Sequence, residues 1–377
     1  RSRYWGIPLP IWRTKDGKEE RCIGSVSELL EAIEDSVRAG IMHKNPYGDL
    51  KHDPDYASID LHRPFVDEVV LVSPTGQAMY RELDLIDVWF DSGSMPFAQW
   101  HYPFENKEKI EQGSAFPADF IAEGVDQTRG WFFTLHVIAA GIMDSVAYKS
   151  VISNGLVLDK HGQKMSKRLG NAVDPFLTMQ KFGADATRWY MLTNAAPWDN
   201  LKFDEQGIEE VRRRFFGTLY NTYAFFALYA NLDGWSKSTP ELPKVPAQLD
   251  AWILSRLEGL KQEVTHAYEA YDLTLAGRLI QDFVTESLSN WYVRLSRKRF
   301  WVGSMTEDKD GAFSTLHWCL DTVARLMAPL APFYADRLYR DLRPGSTSVH
   351  LSHWPETSLT KRDEPLEAAM DLAQRAT

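Results

Sequence analysis

Up to about residue 195, short β-rich runs alternate with helical ones, separated by Gly, Pro and Asp; after Phe203 the apolar positions recur almost everywhere at helical spacing. Tyr4-Trp5-Gly6-Ile7-Pro8-Leu9-Pro10-Ile11-Trp12 reads as extended, since prolines at alternate positions neither continue a helix nor donate to a sheet. Residues 27–39 fit a helix capped by Ser27, with Glu28 and Glu31 in its first turn. Residues 43–84 are polar and punctuated, an excursion of loops and short strands. Phe120-Ile121-Ala122 then reads as a buried strand ending at Glu123-Gly124, and Asp126 as the cap of a helix over 127–143. A second strand, 150–153, meets a turn at Asn154-Gly155 before 156–158, and Asp174-Pro175 opens a helix that Gly183 closes. Strands alternating with helices favour a parallel sheet whose ligand crevice lies off the strands' carboxyl ends, where Glu123 and Asn154 both fall.

In the second half, apolar residues keep helical spacing over 211–232, 249–271, 273–301 and 313–342, which predicts a helical bundle. Between the first two runs, Pro240, Pro243 and Pro246 make 235–248 a linker. The expected fold class is therefore α/β plus all-α. A parallel-sheet domain occupies 1–195, with a connective excursion at about 20–84, and an antiparallel helical bundle occupies 196–377.

Composition narrows the function classes. Against 42 Lys and Arg stand 52 Asp and Glu, a net charge of −10 that disfavours a wholly basic nucleic-acid coat or a polybasic membrane binder. Contact with RNA through local basic patches stays open. Two cysteines, Cys22 and Cys319, make neither a disulfide framework nor a Cys-rich zinc site, and a reducing, cytoplasmic compartment fits best. The most apolar stretch, 131–143, is too short to span a bilayer and carries His136, so it reads as a buried helix with no membrane role. The chain opens Arg1-Ser2-Arg3-Tyr4 without an initiator Met, as a fragment of something longer does.

The sharpest chemical signal is Asp159-Lys160-His161-Gly162-Gln163-Lys164-Met165-Ser166-Lys167-Arg168-Leu169-Gly170-Asn171. Two lysines three apart on a glycine-bounded loop after a strand can set two ammonium groups on one polyphosphate, where negative charge grows as pyrophosphate leaves. Taken alone, the same cluster also reads as a solvated basic turn.

It does not stand alone. Lys164-Met165-Ser166-Lys167-Arg168 followed by Leu169-Gly170-Asn171 resembles the lysine signature loop of the class I aminoacyl-tRNA synthetases, whose last position is more often Ser. Asp87-Val88-Trp89-Phe90-Asp91-Ser92-Gly93-Ser94 and Ala122-Glu123-Gly124-Val125-Asp126-Gln127-Thr128-Arg129-Gly130-Trp131-Phe132 resemble the isoleucyl members. So do Arg3-Tyr4-Trp5-Gly6-Ile7-Pro8, Asn290-Trp291-Tyr292 and Met327-Ala328-Pro329. The resemblance runs over nearly the whole chain. It implies the second half of a Rossmann-like catalytic domain followed by a helical anticodon-binding domain, and it implies ATP-dependent formation of isoleucyl-adenylate with transfer to tRNA(Ile). The partners implied are isoleucine, ATP and tRNA(Ile), with Mg²⁺ as the usual companion of ATP, no zinc site and a monomeric state.

Roles carry over only where motifs match. Lys164 and Lys167 are the catalytic candidates. Met165 and Ser166 of the same loop, together with Glu123, Gly124, Asp126, Gln127, Asn154, Gly155 and Val157, are candidates for contact with ATP or the adenylate. Trp89 and Trp131 resemble the two indoles that wall the isoleucine side chain, as a branched aliphatic chain suits rigid apolar walls. From the residues alone, both tryptophans also read as core, Asp126 as a helix cap, and Asn154, Gly155 and Val157 as a hairpin turn. In the bundle, Arg213, Arg294, Arg297 and Lys298 stand among Phe215, Phe216, Trp291, Tyr292, Phe300 and Trp301, a mixture that suits unstacked RNA bases but equally a core with a solvated basic face.

The family's other ATP signature, His-x-Gly-His, is not found. His350-Leu351-Ser352-His353 has its spacing but Ser in place of Gly, and reads as a coincidental strand or loop. An editing insertion and a C-terminal extension are also missing, so a fragment inactive alone is expected. The alternatives are a valyl or leucyl enzyme, or an inert synthetase-derived tRNA-binding module.

Overall fold

The computed structural model describes residues 6–48, 59–244, 246–356 and 361–376, so the residues Arg3, Tyr4 and Trp5 of the opening motif lie outside the described residues. By packing, the chain divides into two compact units, Arg1–Ile152 and Ser153–Thr377. The change of texture near residue 195 falls inside the second.

The excursion in the first unit is an antiparallel sheet ordered Glu20–Cys22, Ile11–Thr14, Ala78–Arg81, Val70–Val72. Period-two alternation sends Trp12 and Thr14 inward and Arg13 outward to Glu20 at 2.6 Å. Helix Val26–Arg38 covers the inner face with Leu29, Leu30 and Ile33 against Leu71 and Met79, while the Trp12 indole donates to the Val69 carbonyl at 2.9 Å. Ser25, rather than Ser27, caps this helix. Its Oγ accepts from the Glu28 amide, and Glu28 Oε2 accepts from the Gly24 amide at 2.8 Å. Ser25 stands three residues before Glu28, the spacing a capping box requires.

The rest of this unit departs from expectation in three ways. Strand Ala118–Gly124 pairs with Tyr148–Asn154, and that is its one sheet partner among the described residues, so Phe120 is 41% exposed and Ala122 is exposed rather than buried. Asp126 caps no helix: Val125–Arg129 forms a 3-10 turn, Gly130 breaks the helical path, and the helix is Trp131–Met143. That helix buries Phe132, Leu135 and Ala139, but Phe133 and Val137 are 59% and 50% exposed, since packing partners reach one face only.

In the second unit, Val157–Leu158 and Leu201–Lys202 pair in parallel. Helix Pro175–Phe182 starts at Asp174, whose carboxylate accepts from the Phe176 and Leu177 amides, and ends at Gly183 (φ 90°), as anticipated. The bundle follows, with helices Gly217–Leu232, Gln248–Glu269, Leu273–Asp282, Arg294–Trp301, Glu307–Met327 and Pro332–Leu342, and π-helical stretches at Arg212–Phe216 and Phe283–Val293. The single run expected over 313–342 is two helices, because Pro329 and Pro332 interrupt the amide ladder. A further helix, Glu364–Arg375, packs on Gln248–Glu269 with Glu367 accepting from Ser255. The fully buried Asp250 carboxylate is saturated, taking donors from Ala247 N at 3.0 Å, Tyr292 OH at 2.6 Å and both arms of Arg299 at 2.7 and 2.8 Å. His350 lies in a 3-10 turn, Val349–Leu351, capped by Ser348, neither strand nor plain loop. Among the described residues no helix is long and apolar enough to cross a membrane.

Candidate active site

In the first unit, Glu123 is exposed at the carboxyl end of its strand. Gly124 follows at a point where an added Cβ would stand 2.7 Å from Asp126 Oδ1, so only glycine lets that carboxylate approach the backbone. Asp126 Oδ2 accepts from Gln127 Nε2 at 3.0 Å, and Gln127 Oε1 accepts from the Trp131 amide at 3.1 Å. Gln127 therefore supplies the helix-start bond that sequence reasoning gave to Asp126. The Trp131 indole donates to the Ser92 carbonyl at 3.0 Å, which ties it to helix Val88–Gly93. Asp87 opens that short helix by accepting from the Trp89 amide at 2.8 Å. A Cβ on Gly130 would meet Trp89 Cη2 at 3.1 Å, so Trp89 lies against the backbone just before Trp131. The two indoles are thereby brought into one cluster. Trp131 is half-buried and packs on the Phe97, Phe116 and Leu135 core, whereas Trp89 is 41% exposed and belongs to no core cluster.

Asp91 is a residue that sequence reasoning passed over. It shares the short helix with Trp89, and its Oδ1 is buried without a hydrogen-bond partner among the described residues. Burial, with the Asp87 charge nearby, raises its carboxyl above the ordinary range. The tryptophan is what makes this segment conspicuous in the sequence, and nothing in the spacing marks which of its acids is buried.

The second unit holds the lysine loop. Asn154 ends its strand, and Gly155 donates to the Pro197 carbonyl at 2.9 Å; a Cβ there would stand 2.1 Å from the Asp199 carbonyl oxygen. This is no hairpin, because the chain runs on into the parallel pair, with Val157 opposite Leu201 and the Leu156 amide donating to Asn200 Oδ1 at 2.8 Å. The loop leaves the strand at Asp159 and returns to a bridge between Leu158 and Lys164. Ser166 caps a 3-10 turn, Lys167–Leu169, by accepting from the Leu169 amide at 3.2 Å. Lys164, Lys167 and Arg168 are exposed and make no ion pair with the described residues. Hydrogen bonds from Asn171, then from the Gln163 and His161 amides, hold the Asp159 carboxyl below the ordinary carboxylate range. Met165 and Val157, with Val173, Met191 and Leu192, line an apolar cavity of about 470 Å³ beside the loop.

On the bundle, Arg213, Arg294, Arg297 and Lys298 are exposed, without ion pairs to the described residues, while Arg212 and Arg214 pair with Glu209 and Glu210. Phe215, Phe216, Tyr292 and Phe300 are buried, so they are core and cannot stack on bases; Trp301 is the one aromatic of that set that is exposed. Helical spacing turned Phe215, Phe216, Tyr292 and Phe300 inward and the unpaired cations outward.

Comparison with known proteins bears on what these features serve. The model of tRNA synthetases class I (I, L, M and V) matches residues 1–204, and that of the anticodon-binding domain of tRNA ligases matches 250–377. The chain belongs to the class I tRNA synthetases. Isoleucine–tRNA ligase of Porphyromonas gingivalis is 63% identical over 381 residues, which cover 100% of this chain and 33% of that protein. Its counterpart from Bacteroides fragilis is 62% identical over 389 residues, covering 100% and 34%. The chain thus spans about a third of the length of the curated relatives it matches. The ternary complex of Agrobacterium radiobacter K84 LeuRS with tRNA and LeuAMS matches with a TM-score of 0.66 at 20% identity, over 97% of this chain and 42% of that one. Its likeness is one of fold. The fold class is that of a class I synthetase, an α/β catalytic part followed by an all-helical anticodon-binding part.

Proposed function

We propose that this chain is part of an isoleucine–tRNA ligase, comprising the catalytic-domain portion at 1–195 that holds the adenylate and the anticodon-binding bundle at 196–377. The observation that carries the reading is the lysine loop, whose Lys164 and Lys167 are exposed, unpaired among the described residues and set three apart on a braced turn. Relatives at above 60% identity that bear the isoleucine–tRNA ligase name support the choice of amino acid.

In the reaction, an oxygen of the isoleucine carboxylate forms a bond to the α-phosphorus of ATP. The bond from that phosphorus to the bridging oxygen breaks, and its electron pair leaves with pyrophosphate. Lys164 and Lys167 meet the growing charge on the departing oxygens, a role for positioned cations rather than covalent help. Glu123 and Gln127, with Gly124 and Asp126, contact the adenylate. Trp89 and Trp131 wall the isoleucine side chain. Asn154, Gly155, Val157, Met165 and Ser166 contact the nucleotide, for whose flat base the apolar cavity at Val157 and Met165 is large enough. Mg²⁺ would accompany the phosphates of ATP and supply further positive charge there, and among the described residues no group of three or more His, Cys, Asp or Glu stands ready to cage it. Arg213, Arg294, Arg297 and Lys298 contact tRNA(Ile) phosphates. The setting is the cytoplasm and the state a monomer.

Exchange of labelled pyrophosphate into ATP tests the reading in a full-length protein that contains this sequence. Isoleucine supports exchange; exchange supported by valine or leucine in preference to isoleucine would assign the chain to another member of the class. For the bundle, replacing Arg297 and Lys298 by Ala lowers the slope of log affinity for tRNA against log salt by about 0.7 to 0.9 for each phosphate that the pair neutralises. An unchanged slope would leave the pair as a solvated face.

A further inference from the structure

We propose that Asn171 and Asp159 are positioning residues for adenylate formation, forming a clamp that sets the spacing of Lys164 and Lys167; this rests on the function proposed above. The Asn171 side chain reaches back across the loop and bonds the backbone on both sides of Met165. Its Oδ1 accepts from the Ser166 amide at 2.9 Å, and its Nδ2 lies 3.4 Å from the Lys164 carbonyl. The same Nδ2 donates to Asp159 Oδ2 at 2.9 Å.

Asp159 is itself fixed at the base of the loop. Its Oδ1 accepts from the His161 and Gln163 amides at 2.9 and 2.8 Å, and its own amide donates to the Gln163 carbonyl at 2.9 Å. The asparagine amide thus joins the first turn of the loop to the strand-like limb at Lys164 and to Ser166. Ser166 in turn starts the 3-10 turn that carries Lys167. Both lysine side chains are exposed and no described residue pairs with their tips, so their separation is set by the backbone from Lys164 to Lys167. Asn171 bonds that backbone at two points. An amide is suited to this position because it alone offers an acceptor to Ser166 and donors to a carboxylate and a carbonyl from one planar group. Neither residue touches the reacting atoms; they act through the lysines.

The clamp makes a polarity prediction that simple loss of packing does not. Asn171→Asp keeps an acceptor for the Ser166 amide but sets two carboxylates against each other at the Asp159 contact. Adding Asp159→Asn restores a donor–acceptor pair in reverse at that contact, since the new amide can donate to the new carboxylate while its oxygen still serves the His161 and Gln163 amides; the bond to the Lys164 carbonyl stays lost in both variants. In a full-length protein containing this sequence, Asn171→Asp slows pyrophosphate exchange about 10- to 100-fold at saturating substrates, the scale for misplacing a catalytic group by about 1 Å. The KM for isoleucine stays within about twofold, because the amino-acid pocket does not involve the loop. The double variant recovers part of the rate, the part carried by the Asp159 and Ser166 contacts.

Amide hydrogen exchange on this chain gives a readout independent of catalysis. Exchange at 161–166 accelerates in Asn171→Asp and returns in the double variant, with the thermal midpoint unchanged. A rate and an exchange pattern no better in the double variant than in the single one would overturn the clamp, as would an Asn171→Asp variant with unaltered exchange. Should Lys167→Ala leave the reaction rate intact while the exchange pattern still follows the swap, the clamp holds and the proposed role of the lysines fails.

Discussion

Of two helices, the less apolar is the more deeply buried. Glu307–Met327 buries almost every residue from Lys309 to Met327, including polar ones such as Thr315 and His317, because bundle helices surround it. Trp131–Met143 has the more continuous apolar run, yet buries only Phe132, Leu135 and Ala139. The amino-acid pattern states how much of a helix is suited to burial; whether a face is covered depends on partners elsewhere. Where partners are present, the side chains build stability. Where they are not, apolar side chains stay exposed, Phe133 and Val137 on that helix and Trp89 against the backbone at its start, and the function proposed above uses Trp89 for recognition.

Substitution at the two helices sharpens this contrast most. Leu320→Ala, in the fully buried helix, costs about 2 to 5 kcal/mol by denaturant unfolding, the range for a buried leucine that leaves a cavity. A cost under about 1 kcal/mol would mean that the bundle is loosely packed there. A smaller effect comes from pH. His317 is buried between Phe226 and Trp235, with Nε2 2.9 Å from the Leu342 carbonyl, and burial lowers its pKa. The folded bundle therefore binds a proton less readily than the unfolded chain. This contribution to stability is complete above the unfolded pKa of about 6.5, and it falls as pH drops below that value towards the lowered folded one. Unfolding at pH 7.5 and 5.5 measures it, and His317→Gln removes the difference; an equal slope in the variant would assign the loss to other groups. Least of all is expected at the exposed face of the other helix, where Val137→Ser changes the stability of this chain by no more than about 0.5 kcal/mol. A cost near that of Leu320→Ala would show that Val137 is covered in solution.

Much of this was legible in the residues. The Asp174-Pro175 start and Gly183 stop, the proline-rich linker and the bundle follow from local rules, and the lysine loop announces itself by spacing and by family likeness. The errors share a cause. Ser25 and Ser27 are both plausible caps, and only the bonds of Glu28, its amide to Ser25 Oγ and its carboxylate to the Gly24 amide, decide. Asp126 looks like a cap until Gly130 is seen to end the turn. Phe120 reads as buried because periodicity assumes a sheet neighbour on each side. The clamp at Asn171 was out of reach for the same reason, since its bonds to Asp159, Lys164 and Ser166 depend on how the loop folds back on itself.

Charge stabilisation by the loop and amino-acid recognition by the indoles, as proposed above, separate in one measurement: the steady-state rate of isoleucine-dependent pyrophosphate exchange, in a full-length protein containing this sequence, for Lys167→Ala beside Trp131→Ala. Lys167→Ala lowers the maximal rate about 100-fold or more, the loss expected for one preorganised charge-stabilising group, with the isoleucine KM barely moved. Trp131→Ala instead raises the isoleucine requirement steeply with little effect on that for ATP. A raised isoleucine KM with intact turnover in Lys167→Ala, or unchanged isoleucine kinetics in Trp131→Ala, would contradict this division of roles.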